Sequence, residues 1–245
     1  MVSRNEIKNI VENGPRSVES AFENWTNGSD RQRELEERYV SYIDLLNKKS
    51  LDLGQVWTAF LSGYFNHQAG IHCPNEQMRL FFFKESLIRY GLFLKACKHV
   101  SPDIAFFAQW QIGLLLQVLE SDWAVAEESF LKALEYYPGR GETIREIIVY
   151  WGVKANWRMA YIYSSYCKEH FWHRPPASAK WFVNIPFYRW KILKYHVPVL
   201  LNLNRIAEAK ECVKALFNCE TLGAPLEPSE AREINSLKEA LGQWL

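Results

Sequence analysis

Apolar positions along this chain recur three and four residues apart almost from end to end, and no stretch alternates apolar with polar residues between Gly-rich hairpin turns. That periodicity predicts helices and no sheet. Ser3 and Glu6 form a capping box ahead of Ile7, Ile10 and Val11, and Gly14-Pro15 stops this first helix. Val18, Ala21, Phe22 and Trp25 mark a second one, ended by Asn27-Gly28. Ser29 with Gln32 caps a third that carries Leu35, Tyr39, Ile43 and Leu46. Its opposite face, with Arg31, Arg33, Glu34, Glu36, Glu37 and Arg38, is mixed in sign and reads as solvated. Residues 51–69, with Leu53, Val56, Trp57, Phe60 and Tyr64, read as one helix, and Pro74 at a first-turn position opens another towards Val100.

Further along, the pattern repeats itself at a distance of 34 residues. Trp110 matches Ile144, Leu114 matches Ile148, Trp123 matches Trp157, Ala126 matches Ala160 and Ala133 matches Cys167. A 34-residue period with a small residue fixed in its second half is the mark of a tetratricopeptide-type helix pair, which must stack on neighbours to bury its apolar face. Phe107–Arg140 and Gly141–Arg174 are two full units, with turns at Ser121-Asp122 and Ala155-Asn156. A third unit has Ile206, Ala209, Val213 and Leu216 in its second helix, so the step from Ala160 to Ala209 is 49 residues rather than 34. The extra residues fall in His170–Trp190, where Pro175, Pro176 and Pro186 preclude continuous helix and Trp172, Trp181, Phe182, Phe187, Tyr188 and Trp190 crowd together. Glu227-Pro228-Ser229 leads into a last amphipathic helix with Ile234, Leu237, Leu241 and Leu245, placed to cap the array. The expected fold is all-α, a tetratricopeptide-like helical-repeat solenoid of antiparallel helix pairs. Residues 1–50 form helices that pack on or cap it, and 51–245 form the repeats with the insertion at 172–190.

Several segments resemble the tetratricopeptide-like region that follows the catalytic domain in family-2 glycosyltransferases. They are Gln111-Ile112-Gly113-Leu114-Leu115, Gly139-Arg140-Gly141-Glu142, Trp157-Arg158-Met159-Ala160-Tyr161, and Phe182-Val183 followed by Tyr188-Arg189-Trp190 and Leu193. The likeness covers about residues 85–220 and includes the inserted loop. Those transferases hold a divalent metal through an Asp-x-Asp motif. This chain has no Asp-x-Asp, and its first 80 residues are too few and too helical for such a domain, so the resemblance does not imply transferase activity.

Composition narrows the function classes. With 48% hydrophobic residues the chain can bury a large core. Its 29 basic and 28 acidic residues leave a net charge of +1, which gives no field to gather nucleic acid or an anionic membrane surface. Five cysteines without C-x-x-C spacing, a charged N-terminus and no apolar run of spanning length point to a cytoplasmic protein without membrane insertion. His170 and His173, or His67, His72 and Cys73, are spaced as a metal site could be, but scattered histidines in an aromatic-rich chain give such pairs by chance. Neither a G-x-S-x-G elbow nor a phosphate-cradling Gly-rich loop occurs, so no catalytic, cofactor or metal residue is assigned.

What remains is recognition. In tetratricopeptide arrays the first helix of each pair lines a concave groove. Transferred to this chain, that puts Gln111, Leu115 and Val118, then Arg145, Val149 and Gly152, on the groove side, with Arg145 and Lys154 as donors for a carboxylate. The insertion has no helical phase to bury its rings, which makes Trp181, Tyr188 and Trp190 candidate anchors for a peptide or a sugar, or else a loop folded back on the solenoid. The expected function is a non-catalytic scaffold that binds a protein or peptide partner. The alternative is an accessory or remnant subunit of a glycan-biosynthesis system, whose partner is a glycan or a glycosyltransferase. The alternative requires exposed rings in the insertion.

Overall fold

The computed structural model describes residues 55–96, 102–119, 121–179, 182–218 and 228–242. The helices expected before residue 50, and Trp181, lie outside them. Among the described residues there are nine α-helices and no strand. The chain divides into two compact units, Met1–Ser129 and Phe130–Leu245. In each, consecutive helices pack as antiparallel neighbours, the arrangement of a helical-repeat array.

In the first unit, α1 (Gln55–His72) packs on α2 (Glu76–Ala96), and α2 on α3 (Pro102–Val118). Two glycines let α1 and α2 approach. A Cβ on Gly63 would stand 3.0 Å from the Tyr90 ring, and one on Gly70 would stand 2.6 Å from Phe83. Ser86 on α2 donates to Gly63 O at 2.7 Å in the same seam. Phe60 gathers Tyr90, Phe93 and Phe107 around it, so the core here is built from rings rather than from aliphatic layers. The cap of α2 is Asn75, whose Oδ1 accepts from Met78 N at 3.0 Å, while Pro74 stands just outside the helix. Helix α4 (Trp123–Tyr136) follows the turn at Ser121-Asp122 and is tied to α3 by Gln109 Nε2 donating to Ser129 Oγ at 2.6 Å.

The second unit contains α5 (Glu142–Val153), α6 (Trp157–Phe171), α7 (Ile192–Asn202), α8 (Ile206–Phe217) and α9 (Pro228–Leu241). The small-residue positions of the repeat are all wholly buried: Ala126 and Ala133 on α4, Ala160 and Cys167 on α6, Ala209 on α8. The 49-residue step also appears in the turns. After α5, Ala155 N bonds Gly152 O at 3.0 Å and Asn156 N bonds Trp151 O at 2.9 Å. After α7, Asn204 N bonds Leu201 O at 3.0 Å and Arg205 N bonds Leu200 O at 2.9 Å. These are two Schellman motifs with left-handed residues at Ala155 (φ 54°) and Asn204 (φ 57°), a conformation that glycine normally supplies.

The insertion differs from its sequence-based expectation. Only its first part is irregular, because helical backbone resumes at Ile185 and Phe187–Lys191 form a π turn running into α7. Ile192 N reaches back to Phe187 O, five residues earlier. Such a turn leaves carbonyls without an intrahelical donor. Tyr188 O accepts from His173 N at 2.9 Å, and Arg189 O accepts from Trp172 Nε1 at 3.3 Å. The helical phase that seemed to be missing is thereby restored. Phe187, Tyr188 and Trp190 point inward, and Leu193, Val197, Leu200, Cys212, Val213 and Leu216 complete the core around Trp190.

Candidate functional site

The sequence-predicted recognition residues separate into three groups. Tyr188 and Trp190 have no exposed surface. Their assignment as anchors is therefore corrected: a ring with no exposed face cannot present itself to a partner, and both are core residues of the second unit. Gln111 on α3 is also buried, hydrogen-bonded to His67 of α1 in the first unit. Burial, opposed by that bond, lowers the His67 pKa to about 4, so the imidazole is neutral and structural. Arg145 and Val149, in contrast, reach the surface of α5.

Burial of Tyr188 organises a network at the start of α5. Arg140 and Glu142 are both inaccessible to solvent and form an ion pair, with Arg140 Nη2 at 3.0 Å from Glu142 Oε1 and Nε at 3.3 Å from Oε2. Arg140 Nη2 also donates to Phe182 O at 2.7 Å, and Asn184 N donates to Glu142 Oε1 at 3.3 Å. Tyr188 Oη donates to Glu142 Oε2 and accepts from Gly141 N at 3.2 Å. Gly141 is required here, since a Cβ would fall 2.5 Å from the Phe171 ring. Buried charge is tolerated only when fully bonded, and this carboxylate receives donors from Arg140, Asn184 and Tyr188. Gly139-Arg140-Gly141-Glu142 stands out in sequence only through the resemblance it carries, and nothing local in it signals the network. Burial, then Glu142, also pushes the nearby Cys167 thiol well above its ordinary pKa, which rules out a reactive thiolate there.

A second buried polar group lies between α6 and α7. His196 Nδ1 is 2.9 Å from Ser164 Oγ, and its ring stacks on Tyr161 at 6.0 Å, whose other partner is the Arg205 guanidinium at 4.4 Å. Burial, then the positive charges of Lys168 and Arg205, lowers the His196 pKa to about 4. A Ser–His contact would suggest nucleophilic chemistry, but Ser164 is wholly buried and donates to Tyr161 O, so it meets no substrate. The histidine pair considered for metal binding is occupied by ring contacts. His170 lies 4.4 Å from the Tyr166 ring and His173 lies 4.5 Å from Trp172. Among the described residues no group of three or more His, Cys, Asp or Glu side chains is placed to hold a metal ion.

Of the described sequence-predicted recognition residues in the second unit, the exposed ones are on α5. Arg145, Val149 and Val153 follow one another at intervals of four, so they share one face opposite Ile144, Ile147 and Ile148, which enter the core. Val149 is 41% exposed and Val153 79% exposed, two branched apolar side chains presented to water on adjacent turns. Arg145 pairs with Glu146. Partial burial opposes its charge, but Glu146, Tyr195 of α7 and Glu142 outweigh that and hold the guanidinium more firmly protonated than usual. Helix α7 lies beside α5, and an open pocket of about 410 Å³ forms where the two helices end. Lys154, Ala155, Asn156, Trp157, Arg158 and Leu203 line it. Strip and pocket together combine apolar surface with cations at one end. Among the described residues no helix is long and apolar enough to cross a membrane. No protein-family model, no curated protein and no solved structure matches the chain.

Proposed function

We propose that this protein is a non-catalytic, tetratricopeptide-like scaffold that holds a peptide segment of a protein partner along α5 and the neighbouring α7. The observation that carries this reading is the exposed strip of Val149 and Val153 on a helix whose opposite face is core. Side chains of that kind gain nothing from water and gain about 1.5–3 kcal/mol each when fully covered. Arg145, Lys154 and Arg158 flank the strip and favour a ligand with carboxylates next to its apolar side chains. The glycan-pathway alternative required exposed rings in the insertion, and the burial of Phe187, Tyr188 and Trp190 favours the scaffold.

The test is a full-length variant with Val149→Asp and Val153→Asp, compared with wild type for capture of partners from the native cell. Both positions are exposed, so the melting temperature should hold while a specific captured protein is lost. Undiminished capture at unchanged stability would move the binding surface away from α5.

A further inference from the structure

Helix α9 is attached to the second unit in a different way from the other helices. Of its apolar residues only Ile234 is fully buried, with Leu237 and Leu241 partly covered against the α7–α8 core. Helix α8, two residues shorter, buries Ala209, Cys212, Val213 and Leu216. Much of the attachment of α9 is polar and concentrated in two glutamates one turn apart. Glu230 accepts from Trp190 Nε1 at 3.1 Å and stands 4.0 Å from Arg189 Nη1. Glu233 pairs with Lys194 and stands 3.9 Å from Lys191 Nζ. The lysine–glutamate pairs are partly solvent-exposed and therefore open to screening by salt. A helix of 14 residues is marginal by itself in water, so α9 keeps its form only while this contact lasts.

The face beneath α9 is a formed site. It offers an indole N–H, an arginine and two lysines from the π turn and α7, beside an apolar patch that continues onto α8. The occupant seated there shows what fits: a helix with carboxylates at i and i+3 and apolar side chains at i+4, i+7 and i+11. We propose that α9 is a displaceable latch, and that the face of the π turn, α7 and α8 beneath it is a docking site for a partner helix of that acidic-headed, amphipathic chemistry. The site is separate from the α5 strip and does not depend on it. While the latch is closed, the apparent affinity for a helix in trans is reduced by the fraction of open molecules, so weakening α9 in cis must raise it.

The experiment uses the full chain and, as probe, a fluorescent synthetic peptide of residues 228–241. In the Glu230→Gln/Glu233→Gln variant the probe should bind at least about tenfold more tightly than in wild type. A probe with both glutamates changed to glutamine should lose that gain. Hydrogen exchange on wild type should show α9 amides exchanging faster than those of α7 and α8, and faster still at high salt. Exchange of α9 in step with α7 and α8 would make it an integral part of the core and overturn the proposal. So would a folded double variant that does not bind the probe. A concentration-dependent dimer blocked by the probe would give the site to α9 of a second copy and overturn its assignment to a separate partner. If the double variant does not fold, the wild-type exchange pattern decides.

Discussion

Tyr188 and Glu142, 46 residues apart in sequence, are joined by a hydrogen bond of 2.5 Å from the phenol Oη to the carboxylate Oε2. Burial, then Glu142, pushes the phenol pKa far above its ordinary value, so Tyr188 stays a donor throughout the stable range of the protein. This bond closes the π turn onto the N-terminus of α5. Tyr188→Phe removes the donor to Glu142 and the acceptor for Gly141 N while keeping the ring. It should cost about 1.5–3 kcal/mol, the range for a bond to a charged group, and be measured by denaturant melts. Glu142→Gln leaves the Arg140 charge buried without its counter-ion and should cost about 3–5 kcal/mol. Adding Arg140→Met to it should recover part of that loss. A Tyr188→Phe protein as stable as wild type would mean the bond is not what holds the insertion.

Ala160 is wholly buried at the point where α6 meets its neighbours. Leucine there has no space and should destabilise by about 1–3 kcal/mol through overpacking. Ala209, the matching position 49 residues later, should respond similarly, whereas Glu169→Leu on the exposed side of α6 should change stability little. Equal melting temperatures for Ala160→Leu and Glu169→Leu would contradict the register.

These positions show what was legible in the sequence and what was not. Ala126, Ala160 and Ala209 could be found because helix-pair packing imposes a small residue at a fixed phase, and the phase survives the insertion. The left-handed turns at Ala155 and Asn204 carry no glycine to mark them and emerge only from the backbone. The insertion misled in a specific way. Its prolines signalled irregular chain correctly, but Pro186 lies in the first turn of the helix that resumes at Ile185, where a missing N–H costs nothing, rather than acting as a breaker. Trp190 and Tyr188 therefore turned inward. The Arg140–Glu142–Tyr188 network was hidden because its partners are remote in sequence, and a charged turn is normally solvated. Arg145 and Val149 were legible because tetratricopeptide arrays turn the first helix of each pair to the groove, but the same transfer misplaced Gln111 and Leu115, which are buried.

At Ala155 the left-handed conformation suggests a stabilising change. An L-residue there carries a strain of about 1–2 kcal/mol that glycine avoids, partly offset by glycine's greater freedom in the unfolded chain. Ala155→Gly should raise stability by about 0.5–1 kcal/mol in denaturant melts. Asn204→Gly should gain less, because asparagine tolerates this region better. A destabilised Ala155→Gly would show that the alanine methyl packs in the pocket beside Trp157 more tightly than its backbone strain repels.

Acid should weaken the fold through two histidines. His67 and His196 each have a folded pKa lowered to about 4 from an ordinary value of 6.5, in both cases first because of burial. Below pH 6.5 the unfolded chain takes up a proton at each site while the folded protein resists until about pH 4. The unfolded state therefore binds more protons within that window, and stability falls as pH falls through it. Above pH 6.5 both forms are neutral and the stability they allow is fully present. Below about pH 4 the histidine contribution levels off, and carboxylate titration takes over. His196 should respond more sharply to its neighbours, because Lys168 and Arg205 oppose its protonation while His67 has a hydrogen bond to Gln111 that favours it. Thermal melts at pH 7.5, 6.0, 5.0 and 4.5 on wild type and His196→Asn would separate the sites. The variant keeps a polar atom near Ser164 but cannot take up the proton, so its melting temperature should fall less steeply over the window even if it starts lower. Parallel pH profiles for the two proteins would mean that His196 titrates in the folded state as it does in the unfolded chain, and that the α6–α7 contact does not exclude its charge.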